Sequence, residues 1–338
     1  MNTVSVSQHS VHSDIYGCDS PGRIHILDRS DISAEKRKTI RDLHKIDIRY
    51  NIKILVFFAI WTVCGYGILA TDSLPVQIVC WFLIACAMSG LTILMHDGNH
   101  GLLFKKQFLN RWIGFLCGLP GLVAVSAYRS IHLQHHRKLH TDEDPDNIET
   151  AAKKSMPLVL FYYVFFVIGT YLYLPFVAYT GFTLANRRVK IDIAVEYVMM
   201  AAIIIGLFLV FPASLIVQVW LIPLLIAAQI SNVRGLAEHG MTTGGSPFTD
   251  TRTVISNRFV SFMMCNLNYH LEHHLFPGIP WYNLPGLHNI LQEEYRKAGA
   301  SVYRSYTQFL IDFAKTSFKG IVPNVRLIPI HLREDICG

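Results

Sequence analysis

Long uninterrupted runs of apolar residues alternate along the chain with short polar segments. No charged residue occurs in the runs Leu74–Met95, Pro157–Phe182 or Tyr197–Ser231. A helix that crosses the hydrocarbon core of a membrane needs about 20 such residues, and each run is at least that long. The hydrophobic pattern therefore predicts several membrane-spanning helices.

The first two apolar segments form a predicted antiparallel hairpin. Ile54–Ala70 and Leu74–Met95 are separated only by Thr71, Asp72 and Ser73. Seven lysines and arginines lie between residues 36 and 53, and because positive residues stay in the cytoplasm, the N-terminus is expected there. The second span then returns to the cytoplasmic side, where residues 96–156 follow.

The second half contains one apolar run too long for a single span. Tyr197–Ser231 would form a helix of about 52 Å at roughly 1.5 Å per residue, so we expect two helices that turn at Pro212. Pro157–Phe182 is followed by Arg187, Arg188 and Lys190, which indicates a cytoplasmic end. This segment and Trp112–Tyr128 are therefore predicted to be re-entrant or interfacial.

The fold class that follows is an all-α integral membrane protein, multi-pass, with about four transmembrane helices, interfacial helices and a cytoplasmic helical cap. Residues 1–50 are predicted as a polar cytoplasmic N-terminal tail, 51–290 as the membrane domain and 291–338 as a cytoplasmic C-terminal segment. Asn283–Ala298 and Ser301–Lys315 show the helical periodicity expected of the cap.

Composition agrees with this interpretation and limits the partners. Hydrophobic residues make up 51% of the chain, charged residues only 16%, and the mean hydropathy is +0.33, which indicates that lipid is a second solvent. The net charge of +6 is modest and lies between the apolar runs, so it favours lipid headgroups over nucleic acid. The seven cysteines form no CxxC pair, and neither a disulfide framework nor a zinc finger is indicated.

Histidines are concentrated in short motifs beside the predicted membrane surface. An HxxxH motif places two rings on one helix face, and two HxxHH motifs follow it, the first extended by His140. In each HxxHH motif the first and fourth positions are predicted to share a face while the last ring points elsewhere. The histidines of these motifs, with one isolated histidine at the end of the last span, are His96, His100, His132, His135, His136, His239, His270, His273 and His274.

Nine histidines exceed the ligands that one ion takes, since a zinc ion uses about four. Two cations with four or five imidazoles each account for all nine. Neutral imidazole binds iron, copper, nickel and zinc, so the ligand type does not select among them. The carboxylates expected to accept the outer ring N–H groups are Asp97, Asp142, Asp144, Glu238 and Glu272.

The three motifs resemble the histidine boxes of the membrane fatty acid desaturase family. The resemblance runs from about residue 52 to 290 and is closest around Asn268–Pro277. It implies a catalytic centre of two iron ions (Fe²⁺) with the nine histidines as ligands and a water held by an asparagine. Asn266 is the candidate for that role and Asn268 the next, while His140 is placed outside the ligand set.

The resemblance also implies the reaction. Ferrous iron would activate O₂ and remove hydrogen from a lipid acyl chain, which gives a double bond, or an alcohol if oxygen is inserted. Neither a haem-binding HPGG motif nor a GxGxxG motif is present, so the electrons are expected from an external donor of the ferredoxin or cytochrome b5 type. The active site is expected on the cytoplasmic side, at an apolar channel with the candidate lining residues Trp81, Phe82, Tyr128, Phe262 and Tyr269.

Three alternatives remain open at this point. A hydroxylase or ketolase of the same superfamily, acting on a carotenoid, an alkane or a fatty acid, has the same histidine boxes. A haem-based electron-transfer protein would need histidines paired across helices within the hydrocarbon, whereas these cluster at one edge. A metal transporter would need ionisable residues near the middle of its spans, and Tyr197–Ser231 contains none.

Overall fold

The computed structural model describes residues 32–139, 141, 143–146, 158–242 and 246–320, and almost all of its regular structure is helical, as predicted. The only strands in these ranges, β1 (Thr253–Val254) and β2 (Val302–Tyr303), form a short parallel pair. The helices are α1 (Ala34–Leu43), α2 (Ile52–Leu69), α3 (Leu74–Asn99), α4 (Gln107–Gly118), α5 (Val125–Lys138), α6 (Leu158–Leu184), α7 (Arg187–Val210), α8 (Ala213–His239), α9 (Arg258–Met263), α10 (His270–Leu275), α11 (Leu284–Ala298) and α12 (Tyr306–Gly320).

Two helical hairpins form the apolar bundle. α2 turns into α3 after Ala70, and α7 turns into α8 at Pro212, the residue predicted to divide the long apolar run. Ile68 and Ile216 pack in the same buried cluster, so both short connections lie at one end of the bundle. The ends of α3 and α8 that carry histidines therefore lie together at the opposite end.

Five helices are long and apolar enough to cross a membrane, namely α2 with the turn before it, α3, α6, α7 and α8. This is one more than the four expected from the sequence. The additional helix is α6, which is a continuous helix of 27 residues. The segment Pro157–Phe182 therefore does not form a re-entrant loop over its described part.

The two ends of α6 contact different parts of the bundle. Near its beginning, the hydroxyl of Tyr162 accepts a hydrogen bond from the backbone N–H of Met241, just beyond α8, at 2.9 Å. Near its end, Gly181 lies against Ala127 in the first turn of α5. The interfacial position expected for this segment stays a prediction.

α4 and α5 form a sharply bent pair, as expected for a re-entrant segment over Trp112–Tyr128. Their axes meet at 98°. The turn between them reaches into the bundle, where the indole N–H of Trp220 donates to the carbonyl of Pro120 at 2.9 Å. The carboxylate of Glu196 on α7 accepts hydrogen bonds from the backbone N–H of Ser126 at 2.8 Å and from its hydroxyl at 2.6 Å. These bonds fix the first turn of α5. α5 then runs back to the histidine end.

A helical cap covers that end. The ammonium of Lys36 lies 2.8 Å from Glu294, so α1, within the predicted N-terminal tail, packs on α11, which crosses the predicted boundary at residue 290. The helix expected over Asn283–Ala298 is present as Leu284–Ala298. The next one begins only at Tyr306 because Val302 and Tyr303 pair with β1.

A glycine in α3 allows the cap to approach the bundle closely. A Cβ at Gly90 would collide with the ring of Phe57 and lie 2.7 Å from the carbonyl oxygen of Met263. No larger residue fits without a shift of the backbone. This contact seats the turn after α9, which leads into the last histidine motif, directly on α3.

Candidate metal centre

The structure brings all nine histidines of the motifs into one place. α3 contributes two rings from its last turn and the residue after it, α5 contributes three, α8 contributes one at its end and the short helix α10 contributes three. Seven of the nine residues are buried, and His100 and His239 are partly buried. Rings separated by more than 170 positions in the chain thus meet at one end of the bundle.

The rings form two clusters. The five-ring cluster consists of His96, His100, His132, His136 and His273, whose ligand nitrogens all lie within 4.8 Å of one another. The four-ring cluster consists of His135, His239, His270 and His274, joined through two overlapping groups and a 3.0 Å contact between His270 and His274. The sequence predicted four or five rings for each cation, and the geometry has this division.

The division within each HxxHH motif differs from the prediction. On α5, His132 and His136 belong to the five-ring cluster and His135 to the other. On α10 the assignment is reversed, since His270 and His274 belong to the four-ring cluster and His273 to the five-ring one. The first and last rings share a cluster because positions i and i+4 differ by about 40° around a helix of 3.6 residues per turn, whereas i and i+3 differ by about 60°.

The donor geometry fits cations. Neighbouring Nε2 atoms lie 2.9 Å apart for His100 and His132, 3.0 Å for His132 and His136, and 2.8 Å for His239 and His270. Two nitrogens about 2.1 Å from one ion and at right angles to each other are separated by about 3 Å. Since Nε2 of His132 is equally close to two other Nε2 atoms, the rings converge on a shared point rather than forming separate hydrogen-bonded pairs.

The protonation state of the rings also suits metal binding. Burial, and then the neighbouring rings, lower the pKa of His270, His273 and His274 well below the ordinary value of histidine. The neutral imidazole that results is the form that binds a metal ion. Rings held in this form and crowded together are a donor set for cations.

Carboxylates lie behind some of the rings, as predicted. Both oxygens of Asp144 lie 3.1 Å from Nδ1 of His135. An oxygen of Asp97 lies 3.4 Å from Nδ1 of His96, and an oxygen of Glu238 lies 3.7 Å from Nδ1 of His270. The contact of Asp144 with His135 is a hydrogen bond that orients this ring and holds its proton on the nitrogen that faces away from the cluster. Asp97 and Glu238 lie near their rings without a hydrogen bond to them in the described part of the chain.

Glu272 has a different partner from the one predicted. Its carboxylate accepts from Nδ1 of His288 on α11 and from the hydroxyl of Thr253 on β1. It therefore fixes α10 to the cap rather than contacting a ring of either cluster. His140 and Asp142, the remaining predictions for this region, lie outside the described residues.

Asn266, the candidate for the asparagine that holds a water, lies in the turn between α9 and α10. Its backbone has a φ of 51°, a left-handed conformation that asparagine tolerates better than most residues. Among the described residues, no hydrogen bond joins its side chain to a histidine ring. Its role at the centre stays a prediction.

A cavity of about 240 Å³ reaches the rings from within the bundle. Rings of both clusters line it, including His96, His135 and His239. Tyr128, predicted as a lining residue, is on its wall, whereas Trp81, Phe82, Phe262 and Tyr269 are not among the residues found there.

Sequence reasoning missed several polar residues of this cavity, notably Arg234, Asp146 and Tyr173. Arg234 lies three positions beyond the uncharged run Tyr197–Ser231. A charged residue in a membrane helix usually has a functional role, so its presence before Glu238 and His239 was a usable signal. Nothing in the sequence marked Tyr173.

Comparison with known proteins agrees with the centre. The sequence model of the fatty acid desaturase family matches residues 72–306, a range that contains all nine histidines. An sn-1 oleoyl-lipid 12-desaturase of Synechocystis is 24% identical over 249 residues, which covers 64% of this chain and 68% of the relative.

Two further relatives have the same coverage or more. A human sphingolipid delta(4)-desaturase/C4-monooxygenase is 28% identical over 257 residues, 72% of this chain and 73% of the relative. A dihydrorhizobitoxine desaturase of Bradyrhizobium elkanii is 27% identical over 283 residues, 73% of this chain and 79% of the relative. By the extent of the family match, this chain is an oxidoreductase that belongs to the fatty acid desaturase family.

Proposed function

We propose that this protein is a membrane-embedded, O₂-dependent di-iron desaturase that introduces a double bond into the alkyl chain of a lipid. The observation that carries the proposal is the arrangement of nine imidazoles in clusters of five and four at the end of a cavity. No simpler role, such as a structural zinc ion with its four ligands, requires so many rings.

The five-ring cluster and the four-ring cluster would each hold one iron ion. When bound, the iron pair supplies the activation of O₂ and the removal of hydrogen from carbon. The protein's part is to fix the rings, and the hydrogen bond from His135 to Asp144 is one contact that does so. The cavity confines the chain beside the rings and keeps bulk water away.

The overall reaction requires an external source of electrons. Two hydrogens leave adjacent methylene groups, and O₂ takes them up together with two electrons and two protons to give two water molecules. A separate donor of the ferredoxin or cytochrome b5 type supplies the electrons in this proposal, since the sequence has no haem or dinucleotide motif of its own.

The proposed orientation places the centre on the cytoplasmic side. The histidine ends of α3 and α8 lie on the same side as α1, which carries Lys36, Lys38 and Arg41. Positive residues flanking spans favour the cytoplasm. The electron donor would then meet the cap there.

Oxygen insertion is the second candidate reaction. The name of the human relative includes both a desaturase and a monooxygenase activity. In the proposed scheme the same centre could carry out either reaction. Insertion places one oxygen atom of O₂ in the C–H bond and the other in water. The names of the relatives also include positions 4 and 12, so they do not indicate which bond this protein attacks.

The test is a comparison of lipids from cells that express the protein with its donor and cells that express His135→Ala. We expect a new unsaturated lipid with the unchanged protein only, and about two iron ions per purified chain. The same lipids in both strains, or full activity of the alanine variant with unchanged iron, would contradict the proposal. A hydroxylated product would show that the reaction is oxygen insertion, the second candidate, and not desaturation.

A further inference from the structure

The cavity beside the rings has two chemically different parts. One part is apolar and lies deeper in the bundle, between Met88 on α3 and Leu224 and Ala227 on α8. The other part is polar and lies next to the rings, with Arg234, Asp146 and Tyr173 on its wall.

The hydroxyl groups of the apolar part are already used within their own helix. Ser89 donates to the carbonyl of Ala85 at 3.0 Å, and Thr92 donates to the carbonyl of Met88 at 3.1 Å. These side chains therefore offer no free donor to a ligand. A saturated hydrocarbon chain is the ligand that suits such a wall, since burial of each CH₂ group away from water is favourable.

The polar part has unused hydrogen-bonding capacity. Tyr173 donates its hydroxyl to Oδ2 of Asp146 at 2.9 Å, but the buried Oδ1 of Asp146 has no hydrogen-bond partner among the residues that the structure describes. On the facing helix α8, the guanidinium of Arg234 lies 3.3 Å from Glu238, and its side chain is 22% exposed. A carboxylate acceptor and a cationic donor thus both face the cavity.

Asp146 and Arg234 are each linked to a histidine ring of the metal centre through one other residue. Asp146 donates its backbone N–H to Asp144, which in turn contacts His135. Glu238 lies between Arg234 and His270. Any part of a substrate that contacts the two polar groups is therefore only a few bonds from the carbon beside the rings.

Methylene groups in the polar part would be unfavourable. A buried polar group that loses water without gaining a hydrogen bond is destabilising, and more so if it is charged. A ligand with a hydroxyl or amide N–H for Asp146 and an oxygen acceptor for Arg234 removes that cost at both positions. An acyl chain attacked near its middle would place only CH₂ groups there.

We infer that the substrate is an amphiphile whose head group contains both a hydrogen-bond donor and an acceptor, and that the bond attacked lies only a few carbons from that head group. Asp146 and Arg234 bind the head, and the hydrocarbon tail extends past the rings towards Met88 and Leu224. This inference rests on the proposed function and adds the class of substrate and the region of the chain that reacts.

Binding of two saturated probes of eighteen carbons to the iron-loaded full chain in detergent tests the inference. One probe is an amide diol, with donors and acceptors at its head, and the other is methyl octadecanoate. We expect the amide diol to bind at least about tenfold more tightly, because hydrogen bonds to charged groups contribute about 1.5–3 kcal/mol. Asp146→Asn should remove about tenfold of the affinity for the amide diol and leave binding of the ester, which has no donor, unchanged. Arg234→Gln should weaken binding of both probes, since the ester carbonyl can also accept from the guanidinium.

Tyr173→Phe provides a variant that keeps both charged groups, and Tyr179→Phe on the same helix is its matched control because Tyr179 is 74% exposed. The first should weaken binding of the amide diol several-fold and the second should not. Equal affinities of the two probes for the unchanged protein, or equal losses for both probes in Asp146→Asn, would overturn the inference.

The product distinguishes this inference from the proposed function. A new double bond near the head group of a cellular lipid supports both. A new double bond in the middle of an acyl chain overturns the inference and leaves the proposed function intact. Iron-loaded protein with its donor that forms neither a double bond nor an alcohol overturns the proposed function itself.

Discussion

The two histidine clusters differ in how much of their coordination the rings provide. The larger cluster, with His96 and His273, has five rings, which would nearly fill the octahedral shell of an ion, whereas the smaller cluster, with His239 and His274, has four. The better-formed carboxylate contact belongs to the smaller cluster, where Asp144 lies 3.1 Å from His135. In the larger cluster Asp97 lies 3.4 Å from His96.

In the proposed function, this difference means that the two clusters would hold their cations in different ways. The five-ring cluster would depend on the number of its ligands, since the loss of one ring still leaves four. The four-ring cluster would depend on the orientation of His135 by Asp144, and its ion would have more positions free for O₂ or water. Substitutions in the two clusters should therefore have unequal effects on metal content.

Removal of one ring from each cluster should have the largest effect. His239→Ala leaves three rings and His273→Ala leaves four, and we expect both to lower turnover by well over 100-fold, since even outer partners of ligands contribute 10–100-fold. Iron per chain, measured by mass spectrometry after desalting, should fall by about half in the first variant and less in the second. The exposed His44 provides an alanine control that should change neither value.

A greater loss of iron from His273→Ala than from His239→Ala would contradict the proposed difference between the two clusters. It would show that the five-ring cluster depends on each ring as strongly as the four-ring cluster does.

Asp144→Asn should have the next largest effect. The amide cannot accept the N–H of His135 as strongly, so we expect metal affinity of the four-ring cluster to fall by about 10–100-fold, measured by competition with a chelator. Glu143→Gln is the matched control, since Glu143 is 71% exposed and pairs with Lys138. Equal affinities of the two variants would exclude an orienting role for Asp144.

Tyr128→Phe should have the smallest effect. The hydroxyl of Tyr128 lies 3.4 Å from Nδ1 of His132, longer than a well-formed hydrogen bond, so metal affinity of the five-ring cluster should fall less than about tenfold. The same chelator competition measures it, with the exposed Tyr66 changed to Phe as the control. A loss as large as that of Asp144→Asn would mean that the larger cluster also depends on an outer partner.

The helical architecture could be predicted from the sequence because the membrane allows few choices. A long uncharged run must satisfy its backbone hydrogen bonds internally, so Leu74–Met95 and the two halves of Tyr197–Ser231 could only be helices. The composition of α6 is that of a helix that could cross a membrane, so it did not predict where α6 packs. Its location depends on contacts of its ends with Met241 and Ala127, distant residues in the sequence.

The nine histidines could be identified from their spacing, and helix geometry groups the first and last rings of each HxxHH motif, but the cluster that each group joins could not be predicted. That assignment depends on the rotation of α5 and α10 about their own axes, which is set by tertiary packing. The partner of Glu272 was missed for a similar reason, because His288 lies 16 positions away on another helix. The polar wall of the cavity forms only when α6 brings Tyr173 to Asp146.

The reversed assignment of rings on α5 and α10 has a consequence for the distance between the two proposed cations. Each helix carries rings of both clusters, so that distance would be set by the pitch of rigid backbone and not by side-chain rotamers. Movement of the two helices apart would remove ligands from both proposed ions at once. Displacement of either helix should therefore empty both sites, whereas the loss of a single ring should weaken only the cluster to which it belongs.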